Sequence, residues 1–149
     1  MTNEELRALG TLCHCLDISR VRLHRGEGGR LSGALRRVVL RLSRGRGIAL
    51  GNHVFLPDQS ARSIPVIAHE LTHCAQYQAW GPLRYYARGL AERVREVSWR
   101  LGLGCSPYAY ELDSQKPFER YGMEQQGQIV EDCYRGSAEA AAISPYRPS

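Results

Sequence analysis

Apolar residues recur at helical spacing in several stretches of the chain and alternate with polar ones in three short stretches. Leu6, Leu9, Leu12, Cys13 and Leu16 mark one helix over 3–17, with Thr2 or Asn3 available as its N-cap. Arg20–His24 alternates polar and apolar and predicts a short strand, broken by the glycines of 26–29. Leu31, Ala34, Leu35, Val38 and Leu42 form a second helical stripe, whose remaining faces carry Arg30, Arg36, Arg37, Arg41 and Arg44. Two apolar runs, Ile48–Leu50 and His53–Leu56, flank Gly51–Asn52, a pair suited to a tight turn, and predict a hairpin. Ser63 and Pro65 then open a helix that runs to about Ala79. A further helix over 82–101 would turn Leu83, Tyr86, Leu90, Val94, Val97 and Leu101 inward, and Pro117 opens a last helical region to about Arg135, with a possible break at Gly122. The pattern is α+β: helices with one small antiparallel sheet ahead of the helix that starts at 63.

At 149 residues the chain fits one domain, divided by pattern into an N-terminal helix (1–19), a core (20–136) and a tail over 137–149 expected to be flexible. Charged residues at 23% and hydrophobic residues at 43% exclude a disordered or fibrous class. No run approaches the roughly 18 apolar residues of a membrane span, and the first residues lack a basic region followed by an apolar one. The expectation is a cytoplasmic protein with no membrane partner, open to delivery by a specialised secretion machine. The five cysteines (Cys13, Cys15, Cys74, Cys105 and Cys133) are odd in number and predict reduced thiols. Net charge is +5 and uneven: 1–62 carries 11 arginines against 5 acids, and 63–149 carries 9 basic residues against 10 acids.

One motif carries chemistry. In Ile67–His73, His69 and His73 stand four apart on a predicted helix, so both imidazoles project from one face toward a single metal ion. Glu70 follows the first histidine, where a carboxylate reaches a water on that ion. Ile64, Val66, Ile67, Leu71 and Ala75 make the rest of that helix apolar, so the polar trio would be buried and in need of partners. Zinc accepts such ligands and keeps a fourth position open in catalytic sites. The third ligand must come from elsewhere. Cys74 points about 100° away from His73, and the neighbours Cys13, His14 and Cys15 cannot face one point on a helix. His24 and His53 are single histidines on or beside strands. Glu124 and Glu131, on the last helix, are the better candidates, because helix histidine pairs commonly take a carboxylate.

Residues 69–78, which include both histidines, together with the Lys116–Arg135 stretch, resemble a family of bacterial zinc metallopeptidases found near Vgr/Rhs-type secretion genes and extracellular contractile injection systems. Val21–Gly26 and the Ile48–Pro57 hairpin resemble the approach to that family's histidine motif, so the resemblance spans roughly 20–136. It implies a zincin-like minidomain with one Zn2+ per chain. Similarity to Glu-zincins, whose third ligand opens an E-x-x-A-D run, points to Glu124 rather than Glu131. Here Gly127 stands where Ala is usual and Gln128 where Asp is usual; that Asp orients a ligand histidine. Gln76, seven residues after His69, would support the site, and Tyr77 lies at its margin. Tyr108, Tyr110, Tyr121 and His53 are candidate donors to a developing oxyanion.

The leading expectation is a zinc metalloendopeptidase acting on a protein or peptide, in which His69, His73 and Glu124 hold the metal and Glu70 is the general base. A non-catalytic component of a secretion particle, built on the same fold, is the alternative. A nucleic-acid partner is disfavoured, because the arginines of 30–46 cover several faces and no aromatic platform accompanies them.

Overall fold

The computed structural model describes residues 1–25, 47–113 and 115–149. The basic helix expected within 30–46, and with it the argument about nucleic acid, lies outside the described residues. Five α-helices are described: α1 (Asn3–Leu9), α2 (Ile64–Trp80), α3 (Pro82–Arg100), α4 (Met123–Tyr134) and α5 (Ala138–Ile143). Three short strands accompany them: β1 (Arg22–Arg25), β2 (Ile48–Leu50) and β3 (His53–Leu56). The fold is α+β and mostly helical. Among the described residues no helix is long and apolar enough to cross a membrane.

The β2–β3 hairpin forms as its turn dictates. Gly51 adopts φ +63°, and a Cβ there would also stand 3.2 Å from the Tyr77 ring. The sheet order is β1-β3-β2, with β3 antiparallel to β2 but parallel to β1. The expected antiparallel hairpin is present, and β1 adds to it in parallel, so the sheet is mixed. Local pattern predicts each strand, but it says nothing about the direction in which a distant strand adds to the hairpin.

Helix α2 is the centre of the domain. Ten successive residues, Ile67 to Gln76, are buried, which is why its sequence is apolar around most of its circumference. Against it pack α4 through Ile129 and Val130, the sheet through Val54 and Leu56, and the N-terminal segment through Leu9 and Leu12. That segment is not one continuous helix. The Thr2–Glu5 capping box starts α1, but Gly10 takes φ +51° against the Arg147 carbonyl, and a 3₁₀ turn over Gly10–His14 follows.

Within 137–149 Ser137 caps α5, Ala140 and Ser144 are buried, and Arg147 exchanges hydrogen bonds with Thr11. One further expectation changes. In α3 the helix is where it is expected, but its apolar stripe faces outward. Leu83, Leu90, Val94, Val97 and Leu101 are exposed and Tyr86 is half exposed, while Tyr85, Glu92 and Glu96 turn inward. The inward set is held by polar contacts that hydropathy does not score: the Tyr85 hydroxyl donates to the Ala49 carbonyl at 3.0 Å, and Glu92 meets the Met123 amide at the start of α4. All five cysteines are free thiols, with Cys74 and Cys133 buried and Cys15 and Cys105 exposed.

An ion pair ties α1 to β1. Arg25 contacts Glu5 at 2.8 Å, and its hydrogen bond holds the Glu5 carboxyl down at about 2 against the opposing effect of partial burial. A lowered acid stabilises the fold fully above its ordinary value of 4.5, and that contribution is lost as the pH falls toward 2. Glu5→Gln should cost about 1 kcal/mol at neutral pH, the pair being partly solvated. Thermal melts should show the gap from wild type closing by about pH 2. A gap of the same size at both pH values would exclude the pair as its source.

Candidate metal centre

Helix geometry sets the first two donors. His69 and His73 lie one above the other on α2, both buried, with ring centroids 5.0 Å apart and Nε2 atoms 3.2 Å apart. Glu124 comes from the first turn of α4, where the helix N-terminus favours a carboxylate. Its Oε2 stands 3.7 Å from His69 Nε2 and 3.6 Å from His73 Nε2. Among the described residues these three form a group able to hold one metal ion.

A tetrahedral zinc ion with nitrogen and oxygen ligands at about 2.0–2.2 Å sets its donors roughly 3.3–3.6 Å apart. The triangle of 3.2, 3.6 and 3.7 Å fits that geometry with little adjustment. The ring orientations fit as well. His73 Nδ1 lies 2.8 Å from Gln76 Oε1, an acceptor, so its proton belongs on Nδ1 and the Nε2 lone pair faces Glu124. Gln76 is itself fixed, donating to Gln126 Oε1 at 2.9 Å and to the Met123 carbonyl at 3.2 Å. Gln126 then donates to the Tyr121 carbonyl at 2.9 Å. A chain of amides thus couples the ring of His73 to the start of α4.

Gln128 does not take the place of the usual Asp. It lines the cleft but donates to Asp132 at 3.0 Å. The charge reaches His69 from Glu131 instead, whose Oε2 stands 3.0 Å from His69 Nδ1, close enough for an ion pair though off the line of a hydrogen bond. Glu131 is thus at the back of a histidine rather than beside Glu124. The glycine at 127 also has a local reason. A Cβ there would lie 2.8 Å from His69 Nε2, so the close approach of α4 to α2 requires its absence.

The cluster sets three carboxylates around two imidazoles, and its protonation reflects this. Burial works to lower His69, but the carboxylates of Glu124, Glu131 and Glu70 outweigh it and hold the imidazole up at about 10. His73 is raised in the same way against its burial, chiefly by Glu124. Glu124 is kept well below the usual carboxylate range, because the two imidazoles outweigh its burial. Burial dominates at Glu70 and pushes it up, only partly offset by His69 and His73. Its Oε2 is buried without a hydrogen-bond partner, and Gly47 leaves the room it occupies, since a Cβ there would lie 2.7 Å from Oε1. Such a centre attracts cations, whether protons or a divalent ion.

These residues form the floor of an open cleft of about 1130 Å³. Strand β2, at the sheet edge, lines one part of it, and Tyr85, Tyr86, Leu90 and Arg93 of α3 line another. His69, Glu70, His73, Glu124, Gln76 and Glu131 are brought together as one cluster; Tyr110, Tyr121 and His53 are not. Tyr110 donates to Asp132, the Tyr121 hydroxyl meets the 111–113 backbone, and His53 stacks beside His24 with ring nitrogens 3.0 Å apart. They are corrected as site residues because the loop and sheet hold them away from the cleft. Tyr108 does line it, Cys74 is core, and Tyr77 packs on Tyr85 and Tyr86. Sequence reasoning missed Gly47, Tyr85, Glu92 and Gln126. Only Gln126 carried a signal, as an amide among apolar neighbours on α4.

Residues 14–81 match the family model described as the eCIS core domain, which links this chain to extracellular contractile injection systems. The match covers somewhat under half of the chain. It takes in β1, the hairpin and all of α2 with both histidines, and it ends well before Glu124 and Glu131. Neither the curated proteins nor the solved structures yield a match.

Proposed function

We propose that this injection-system-associated chain is a zinc-dependent endopeptidase whose metal is held by His69, His73 and Glu124. The observation that carries the reading is the donor triangle of 3.2–3.7 Å with the buried Glu70 carboxylate beside it. A zinc ion bound there supplies Lewis-acid chemistry, polarising a peptide carbonyl and lowering the pKa of water toward about 7.

The chain's own groups do the rest. Glu70, raised by burial, takes the proton from the attacking water and passes it to the leaving amine. Gln76 holds His73 in the tautomer that presents Nε2, and Glu131 places negative charge behind His69. Among the described strands β2 lies at the sheet edge, along which an extended peptide would run through the cleft as an added strand. Tyr86 and Tyr108, which line the cleft, replace Tyr110, Tyr121 and His53 as candidate donors to the developing oxyanion.

Metal analysis of purified protein tests the first part. Wild type should hold one zinc per chain, and Glu124→Ala should lose most of it; equal zinc in both would move the third ligand elsewhere. The second reading, a particle component without catalysis, draws support from Tyr85, which already caps the Ala49 carbonyl on the sheet edge that a substrate would use. Stoichiometric zinc without cleavage of a panel of unfolded proteins would favour it.

A further inference from the structure

The outward face of α3 has a regular form. Leu83, Leu90 and Val97 recur every seven residues, and Ala87, Val94 and Leu101 recur every seven, four positions later. Spacings alternating between four and three make the 3.5-residue seam by which one helix packs along another. This seam points away from the domain: Leu83 is 87% exposed, Leu90 68%, Val94 59%, Val97 56% and Leu101 72%. An apolar row this continuous is uncommon on a monomer's surface and marks an interaction site.

Charge selects the occupant. Helix α3 carries five arginines, Arg84, Arg88, Arg93, Arg95 and Arg100, against two acids, Glu92 and Glu96. Both acids are buried on the inward face, where Glu96 pairs with Arg93 and Arg100 and Glu92 pairs with Arg95, so the positive charge beside the seam is that of Arg84 and Arg88, which form no ion pair among the described residues. A second copy of the chain would set one net-positive helix against another. The chain's own 30–46 stretch has six arginines and no acid, so it does not supply the missing charge either. An anionic bilayer rewards a broad apolar face, and a two-column seam is narrow for one.

We propose that this seam is the docking surface for an acidic amphipathic helix of another protein, with an apolar row at 3.5-residue spacing flanked by Glu or Asp. Tyr86 and Leu90 also line the cleft, so the docked helix lies along its rim. The proposal does not depend on the metal centre being active.

The test uses the full chain and a fluorescent synthetic peptide of about three heptads with Leu in its seam and Glu at the flanking positions. Anisotropy should show saturable binding that weakens with added salt. Val94→Asp with Val97→Asp, both exposed and outside the cleft, should weaken it by about tenfold or more without changing the melting temperature. Arg84→Glu, an independent variant, should shift preference toward the same peptide with Lys in place of Glu. Absence of binding, equal affinity for the Glu and Lys peptides, or an unaffected Val94/Val97 variant would overturn the proposal. So would sedimentation of the chain alone as a dimer that the two Asp substitutions dissolve. Flotation with phosphatidylglycerol vesicles in the absence of peptide binding would assign the face to lipid instead.

Discussion

Glu70→Gln should retain its zinc and lose hydrolysis, with cleavage of an unfolded protein falling by about 10²–10⁴-fold, the range a positioned general base contributes. The substitution keeps shape and removes only the ability to take a proton. Glu70 is not part of the three-residue group able to hold a metal, and its Oε2 has no hydrogen-bond partner to leave stranded. The variant should therefore fold, and its metal content should match wild type. Both quantities must be measured on one preparation, since a drop in cleavage accompanied by lost zinc would say nothing about the base. Cleavage at the wild-type rate with full zinc would remove Glu70 from the mechanism.

Gly127→Ala should uncouple metal affinity from helix stability. Alanine is favoured over glycine inside a helix by up to about 1 kcal/mol, so propensity alone predicts a firmer α4. The added Cβ would sit 2.8 Å from Nε2, 3.0 Å from Cε1 and 3.1 Å from Cδ2 of His69. Either the ring swings away from Glu124 and His73 or α4 moves back from α2. Both break the donor triangle. Zinc affinity should fall by about 10–100-fold, the scale seen when the setting of a ligand histidine is disturbed. Competition with a chromogenic chelator reads this directly, beside thermal melts of the metal-free protein, which should stay within about 1 kcal/mol of wild type. Unchanged affinity would show that His69 has room to spare and that the glycine is incidental.

Much of the site was legible because it is local. The spacing of His69 and His73 places both rings on one helix face in any context, and Glu70 beside them follows from the same geometry. Gly51–Asn52 announces the hairpin, and Thr2 with Glu5 announces the start of α1. The choice of Glu124 over Glu131 rests on resemblance; in the structure Glu124 Oε2 stands 3.6–3.7 Å from both Nε2 atoms and Glu131 stands beside His69 Nδ1. The role of Glu131 was hidden, because a position one turn beyond Gln128 reaches the back of His69 only once the tilt of α4 on α2 is known.

The outward seam of α3 shows the same division most clearly. Its period was evident from residues alone, and its direction was not. Hydropathy assumes that the apolar side of a helix faces the core, yet the hydroxyl of Tyr85 and the carboxylate of Glu92 find their partners there instead, at Ala49 and Met123. By itself the sequence determined which elements form, the helical pair of histidines with Glu70 beside them, and an α+β chain of this size. Tertiary structure decided the parallel strand β1, the order of carboxylates around His69, the contact of 137–149 with Thr11 and the side on which α3 is wet. The physical reason is range: backbone propensity and side-chain period act within a few residues. Strand partner, helix facing and the carboxylates that stand beside the two histidines depend on contacts between segments that only the whole fold brings together.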